Sequence, residues 1–394
     1  MTIAALPTTK LAFSVSVDSL LDAAIKVGSI VPARGDKPIV SNMKLSVHNG
    51  VLELSGTDLR AGIYHQLTSA TVVTDGTGLI GGSRLLEVLK EFKGEEAAFS
   101  FDLRGGCKFA VKNDMIQIPG DDPRDFPKPS RFDSEAGFQI TGRDLIDMID
   151  KTEFAAAPEQ NRLAINGVLF ELKSGRFRLV ATDTKRISYA QRAIQTDIAD
   201  FSVVAPLPCL KLLKRAIDKK ASAYQVTIGV SGSFLFVRTQ GATVYTLVLN
   251  GRYPTYEDGF KAVLSKHIDF NVDTMLTLLR KIMLIDPNGA TFDFAPGWLT
   301  VKSQLPTVGV GDIKMPTTYT GDTVRVGFSP KFIQEALEST PMDRCRLSFD
   351  GPKKIGLLKE LKASDVGEVV SDDFCYAVMP TALPGVSSKS TDDR

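Results

Sequence analysis

Apolar positions along the chain switch between two rhythms, and the places where they switch recur. Phe13-Ser-Val-Ser-Val-Asp-Ser-Leu-Leu21 begins with strict alternation and then changes to helical spacing just after a polar residue suited to capping, Asp18. Phe138-Gln-Ile-Thr-Gly-Arg-Asp-Leu-Ile146 does the same 125 positions later, and Ile268-Asp-Phe-Asn-Val-Asp-Thr-Met-Leu276 does so 255 positions later, with Asp273 as the candidate cap. Each of three blocks is therefore expected to start as strand then helix. The offset of 125 returns in Leu52-Glu-Leu-Ser-Gly-Thr-Asp58 and Phe177-Arg-Leu-Val-Ala-Thr-Asp183, which brings Thr57 onto Thr182 and Asp58 onto Asp183. One offset that fits two separated motifs argues for duplication. The third block has only a degenerate counterpart, Trp298-Leu-Thr-Val-Lys-Ser-Gln304.

A second amphipathic helix is predicted later in each block, over Ser83–Phe92, Pro208–Ile217 and Ser329–Leu337, each opening on Ser or Pro. Alternating runs such as Tyr224–Val230 and Ser233–Arg238, joined by Ser-Gly, read as antiparallel meanders. Pro- and Asp-rich stretches, 119–129 and 250–258, separate the blocks. The boundaries are placed near 133 and 262, giving units 1–133, 134–262 and 263–383, with a polar tail over 384–394. Each unit is expected to be α+β, with two helices covering one face of antiparallel sheet.

The 394 residues, 43% hydrophobic and 24% charged, suit two to three folded domains and exclude a disordered or collagen-like chain. No apolar run approaches the roughly 20 residues of a membrane span. The segment Met1–Lys10 lacks the charged start and apolar stretch of a secretory signal, so a cytoplasmic location is expected. Cys107, Cys209, Cys345 and Cys375 are scattered singly and fit buried reduced thiols. His48, His65 and His267 sit in unrelated settings, without HExxH or GxSxG patterns, and no phosphate-loop motif occurs. Gly309-Val-Gly311 has Lys314 where a third glycine would stand, and Gly81-Gly82-Ser83 serves as a plain helix start. No enzymatic constellation, metal site or cofactor site is expected.

Charge is more informative by position than in sum. The net charge is +1, which by itself predicts no polyanion partner. In the second helix of block two, Leu210, Leu212, Leu213, Ala216 and Ile217 fill one arc, while Lys211, Lys214, Arg215 and Lys219 fill the other, interrupted by Asp218. Lys26, Lys151 and Lys281 occupy one equivalent position in the first helix of all three blocks, each opposite the apolar stripe. An i, i+4 ion pair is the plainer account, since Asp22 and Asp147 precede two of them, but Thr277 stands at that place in block three. Repeated basic helix faces suggest a surface that meets phosphates without reading bases.

Taken in order, Lys37-Pro-Ile-Val-Ser-Asn-Met43, Gly50–Leu59, Asn166-Gly-Val-Leu-Phe-Glu171, Leu179–Ile187, Asn250-Gly-Arg-Tyr-Pro254 and Tyr376-Ala-Val-Met-Pro380 resemble the bacterial DNA polymerase III β subunit family, the sliding clamps. The likeness spans about residues 11–383. It implies a clamp fold of three repeated domains, half of a ring with sheets outside and helices inside. It further implies a head-to-tail homodimer that encircles duplex DNA, catalyses nothing and holds the replicative polymerase to its template.

The same resemblance implies roles for residues. Arg34 matches a DNA-contacting position, and Lys26, Lys151, Lys211, Lys214, Arg215 and Lys281 would line the hole. A pocket for short hydrophobic motifs of the polymerase α subunit, clamp loader and repair proteins matches Ile165, Thr182, Thr184, Arg186, Ile187, Pro254, Met379, Pro380 and Leu383. Leu284 and Ile285 match the apolar part of the ring interface. Three departures bear on the pocket: Thr184-Lys185-Arg186 replaces the usual Gly-His-Arg, Asp258-Gly259 replaces a basic-apolar pair, and Ala382 replaces a basic residue. A divergent peptide-binding scaffold that does not encircle DNA is the alternative reading.

Overall fold

The chain's computed structural model describes residues 9–33, 37–132, 136–159, 163–217, 223–365 and 367–382. Its helices are α1 (Val17–Gly28), α2 (Gly82–Glu91), α3 (Gly142–Asp150), α4 (Leu207–Ala216), α5 (Val272–Ile282) and α6 (Pro330–Glu338). They fall where the rhythm changes, within a residue or two of the predicted spans. The caps differ from expectation. Asn271 caps α5 by accepting from the Thr274 amide, and Asp273 lies inside the first turn. Asp18 likewise lies in the first turn of α1, where its carboxylate accepts from the Gly94 amide. Acidic groups there still interact favourably with the helix dipole.

The contacts group the chain into two compact units, residues 1–145, 195–199 and 208–248, and residues 146–194, 200–207 and 249–394. They cut across the sequence blocks because one long sheet in each unit is built from strands of two blocks. In the first unit that sheet runs, in spatial order, Gly137–Thr141, Gln225–Ser231, Phe234–Arg238, Ala242–Leu247, Ala61–Leu67, Val51–Thr57, Asn42–His48 and Gly76–Gly81. A five-stranded sheet of Thr71–Thr74, Thr9–Ser16, Glu96–Asp102, Cys107–Val111 and Asp114–Ile118 accompanies it. Neighbouring strands joined by short turns pair antiparallel, as such turns require. Leu20, Ala23, Ala24 and Val27 of α1 are fully buried, and Phe13 stacks on Phe99 at 5.0 Å.

The second unit has the order Phe201–Pro206, Gly167–Lys173, Arg176–Thr182, Arg186–Ala193, Gly367–Val378, Gly356–Ser364, Arg344–Phe349 and Lys266–Asn271. A four-stranded sheet, Gly309–Pro316, Trp298–Leu305, Ala290–Ala295 and Val324–Phe328, completes it. Its core gathers Phe292, Phe294, Phe328, Phe349 and Tyr376, all buried, with Phe294 stacked on Phe349. Each such ring contributes roughly 1.5–3 kcal/mol on burial.

The duplication seen in sequence is repeated atom by atom in two turns. Thr57 Oγ1 donates to the Ala61 carbonyl at 2.7 Å and accepts from the Leu59 amide at 3.0 Å, while Asp58 Oδ1 accepts from the amides of Arg60 and Ala61. Thr182 and Asp183 make the same bonds to Arg186, Thr184 and Lys185. Leu59 and Thr184 both adopt the left-handed region, at φ 79° and 77°. A β-branched residue there is strained, so the surrounding bonds hold Thr184 in place.

The four cysteines are buried and unpaired, and burial pushes each thiol up to about 12. Thiolate is the reactive form, so a disulfide-exchange reagent at pH 8 is expected to label almost none of the four thiols in the native chain and all of them in denaturant. Rapid stoichiometric labelling without denaturant would contradict this burial.

Candidate functional site

The strand Gly367–Val378 lies against Arg186–Ala193, with Ile187 opposite Ala377 and Arg186 opposite Val378. One residue on, the Met379 amide donates to the Lys185 carbonyl at 2.9 Å. The last described segment is thereby laid across the Thr-Asp turn of block two. Together they enclose a cavity of about 250 Å³ lined by Thr182, Thr184, Arg186, Ile187, Pro254, Thr255, Tyr256, Gly259, Ile355, Ala377 and Met379. Six of the nine residues named from sequence meet here: Thr182, Thr184, Arg186, Ile187, Pro254 and Met379. Ile165 is buried outside the lining, and Pro380 is half-buried beside it. Leu383 lies outside the described residues.

Four wall residues are not identified by the sequence reading, while Gly259 enters it within the Asp258-Gly259 departure. Thr255 and Tyr256 follow the Tyr253-Pro254 motif directly and are within reach of it. Ile355 and Ala377 carry no local signal, because only strand register brings them to Ile187.

The polar walls are already engaged. The Arg186 guanidinium is 7% exposed, donates to Asp183 at 3.1 Å, to the Phe154 carbonyl at 2.8 Å and to Glu335 of α6, and stacks 4.2 Å from the Phe332 ring centroid. Burial works against its charge, yet Tyr376, Glu335 and Asp183 together hold it firmly protonated. A ligand in this cavity would meet the arginine's stem and little of its charge. Burial and the bond to Glu171 push the Tyr256 phenol well above its usual range, so it stays neutral. Tyr253 donates to the Val180 carbonyl at 2.9 Å and pins the segment that carries Pro254. The resulting site is apolar, concave and preformed, the kind of surface that takes the side chains of an extended peptide.

The basic positions scatter in their surroundings. Lys211 and Arg215 on α4 and Lys281 at the end of α5 are exposed, and Lys214 is half-buried. Lys26 is half-buried and paired with Asp22 at 2.6 Å, the plainer account of its spacing. Lys151 corrects the expectation of a lysine facing outward. It is 3% exposed, with its ammonium 2.8 Å from the fully buried Glu360 and 3.1 Å from Asp147. The chain just after α3 turns this position inward, so its charge serves the interior. Arg34, and Asp218 and Lys219 beyond α4, lie outside the described residues.

After α5 a turn leaves Leu284 78% exposed, while Ile285 is half-buried against the strand Gly309–Pro316. Val308 and Val310 are also exposed at that edge of the four-stranded sheet. In the first unit, the edge strand Asp114–Ile118 exposes Met115. Unpaired strand edges carrying apolar side chains are surfaces that pair with another chain.

Among the described residues, no group of three or more His, Cys, Asp or Glu is arranged to hold a metal ion, and no helix is long and apolar enough to cross a membrane.

Two family models match the chain: the DNA polymerase III beta subunit N-terminal domain over residues 11–129 and the central domain over residues 139–255. The chain is 22% identical to the beta sliding clamp of Escherichia coli over 386 residues, covering 94% of this chain and 100% of that one. It is 24% identical to the beta sliding clamp of Chlamydia trachomatis, covering 88% and 84%. The crystal structure of the DNA polymerase III subunit beta from Pseudomonas aeruginosa superposes with a TM-score of 0.86 at 21% identity, covering 94% of this chain and all of that one.

Proposed function

Since the chain belongs to the DNA polymerase III beta subunit family, we propose that it is a non-catalytic DNA sliding clamp that closes as a head-to-tail homodimer around duplex DNA and carries partners by their short peptide motifs. The observation that carries the reading is the pair of identical Thr-Asp turns 125 residues apart, in a chain that sliding clamps match over almost its whole length. Duplicated modules closing by a heterologous contact give a ring, because a head-to-tail interface either closes or grows into a filament. The exposed apolar group at Leu284, Val308 and Val310 of one chain would meet the Met115 edge of the next. Lys211, Arg215 and Lys281, with Lys26, Lys214 and Arg34, would face the phosphates; Lys151 is left out of that set because its charge is buried. A ring needs only weak, sequence-independent contact with what it encloses, and a net charge of +1 is compatible with that. The partners would be the polymerase and the clamp loader, and the cavity at Ile187 would hold their motifs.

Topological retention is the test. Loaded on nicked circular duplex, the protein is expected to remain bound through a high-salt wash and to be lost once the circle is cut. Equal retention on linear and circular DNA, or none on either, would overturn encirclement. A solution mass near twice 42.7 kDa is expected alongside.

A further inference from the structure

A separate cleft of about 310 Å³ lies further down the same sheet face and shares only Tyr256 with the cavity at Ile187. Tyr189 and Gln191 line it, following Ile187 at every second position, as residues on one face of a strand do. Phe260 closes it edge-on against Tyr189, with ring centroids 4.6 Å apart. Arg176, Arg178 and Lys261 bring positive charge to its walls, against Glu257 alone. Most of these groups are engaged. Arg178 reaches Glu171 at 3.4 Å and the Gln191 side-chain oxygen at 3.2 Å, Lys261 is held by Asp258 at 2.8 Å, and Glu257 by Lys173 at 3.6 Å. The Arg176 side chain is exposed and has no ion pair among the described residues, and the Tyr189 hydroxyl has no hydrogen-bond partner among them. Burial pushes the Tyr189 phenol up to about 12, so it keeps its proton and can donate. The first unit has a cleft at the same register, lined by Tyr64 and Gln66, 125 positions before Tyr189 and Gln191. There the Arg131 guanidinium lies 4.6 Å from the Tyr64 ring centroid and is closed by the Glu53 carboxylate through bonds of 2.6 and 2.8 Å. The residue 125 positions after Glu53 is Arg178, so the second unit has an arginine where the first supplies its own carboxylate.

We infer that this cleft is a second binding site, which takes an Asp or Glu side chain flanking the apolar anchor of a peptide held at Ile187, with Arg176 as its partner. The inference rests on the peptide-binding reading above. An external carboxylate would complete in the second unit the arginine–carboxylate pair beside a tyrosine that the first unit makes within its own chain. A charge-assisted pair to a guanidinium is stronger than a neutral hydrogen bond, and the Tyr189 hydroxyl adds a second donor. Four residues of strand separate Ile187 from Gln191, roughly 13 Å, so an extended peptide would bring its acidic residue into the cleft about three to five positions from the anchor.

Peptide titration tests this with no partner assumed. A random twelve-residue display library is panned on the full-length chain, and the tightest peptide is remade with Glu, Gln or Lys at the positions three to five residues from its apolar anchor, on one side and then the other. Each form is titrated by fluorescence anisotropy. On one side of the anchor, the Glu form is expected to bind roughly fivefold more tightly than the Gln form, and the Lys form more weakly than either. The advantage of Glu should fade at high salt and reverse on Arg176→Glu, whereas the Gln form should bind Arg176→Glu and wild type alike. Arg176 is exposed and unpaired, so its reversal leaves the fold intact. Equal binding of the Glu and Gln forms on both sides, or a Glu advantage that survives Arg176→Glu, overturns the inference. Met379→Asp, at a half-exposed rim position of the cavity, separates the two levels. Loss of all three forms on this variant without any preference for Glu on wild type keeps the cavity and removes the second site; no loss of any form means that the peptide-site reading itself fails, and the inference with it.

Discussion

Lys151→Ala is expected to destabilise the second unit by about 3–5 kcal/mol, the cost of leaving one member of a buried ion pair alone. Glu360 is fully buried and its Oε2 has no hydrogen-bond partner, so its charge depends on the Lys151 ammonium 2.8 Å away and on the Thr340 hydroxyl. The lysine also sits 5.7 Å from the Phe374 ring centroid and bonds Asp147, which Arg192 holds from the other side at 2.7 Å. Removing it leaves Glu360 desolvated with only a hydroxyl to answer it. The loss is read from urea unfolding, with hydrogen exchange of the Gly356–Ser364 amides to localise it. Lys151→Met combined with Glu360→Leu is expected to recover most of the stability, since an apolar pair of similar volume needs no compensation. A single variant within about 0.5 kcal/mol of wild type, the range of an ordinary surface substitution, would show that the pair does not carry charge in the folded chain.

Arg186→Ala is expected to cost a similar amount, about 3–5 kcal/mol, and also to abolish peptide binding at the cavity. Three groups lose a donor at once: Asp183 in the Thr-Asp turn, Glu335 on α6 and the Phe154 carbonyl. The Phe154 and Phe332 rings lose the flat cation packed against them. Arg186→Lys should restore little, because a single ammonium cannot reproduce a planar fork aimed at separate acceptors. Slowed exchange of the Asp183–Ile187 amides in either variant, where loosening is expected, would count against this assignment.

These two residues also show how far the sequence can be read. A motif places Arg186 in the cavity by its neighbours, and it lines that cavity. Its spent charge is not visible in the motif, because Glu335 is 149 residues away and on another element. Helical spacing presents Lys151 as an outward lysine. The local pattern ends correctly at α3, but it holds no trace of Glu360, which waits on a strand of another block. Asp147, four residues before the lysine, is the only part of that network within reach of periodicity.

What the sequence determined by itself was of short range: the alternation that makes strands, the apolar arcs of the helices and the repeat that brings the two Thr-Asp motifs into register. Such features depend on residues a few positions apart, where backbone hydrogen bonds and side-chain direction decide the outcome. Only the tertiary structure decided which strands share a sheet, and with it the cavity. Ala377 meets Ile187, and Gln191 donates to the Asp372 carbonyl 181 residues on, through register between strands whose own patterns would have suited several neighbours. Pairing over such separations is selected by the fit of whole faces, and no local stretch of sequence contains that information.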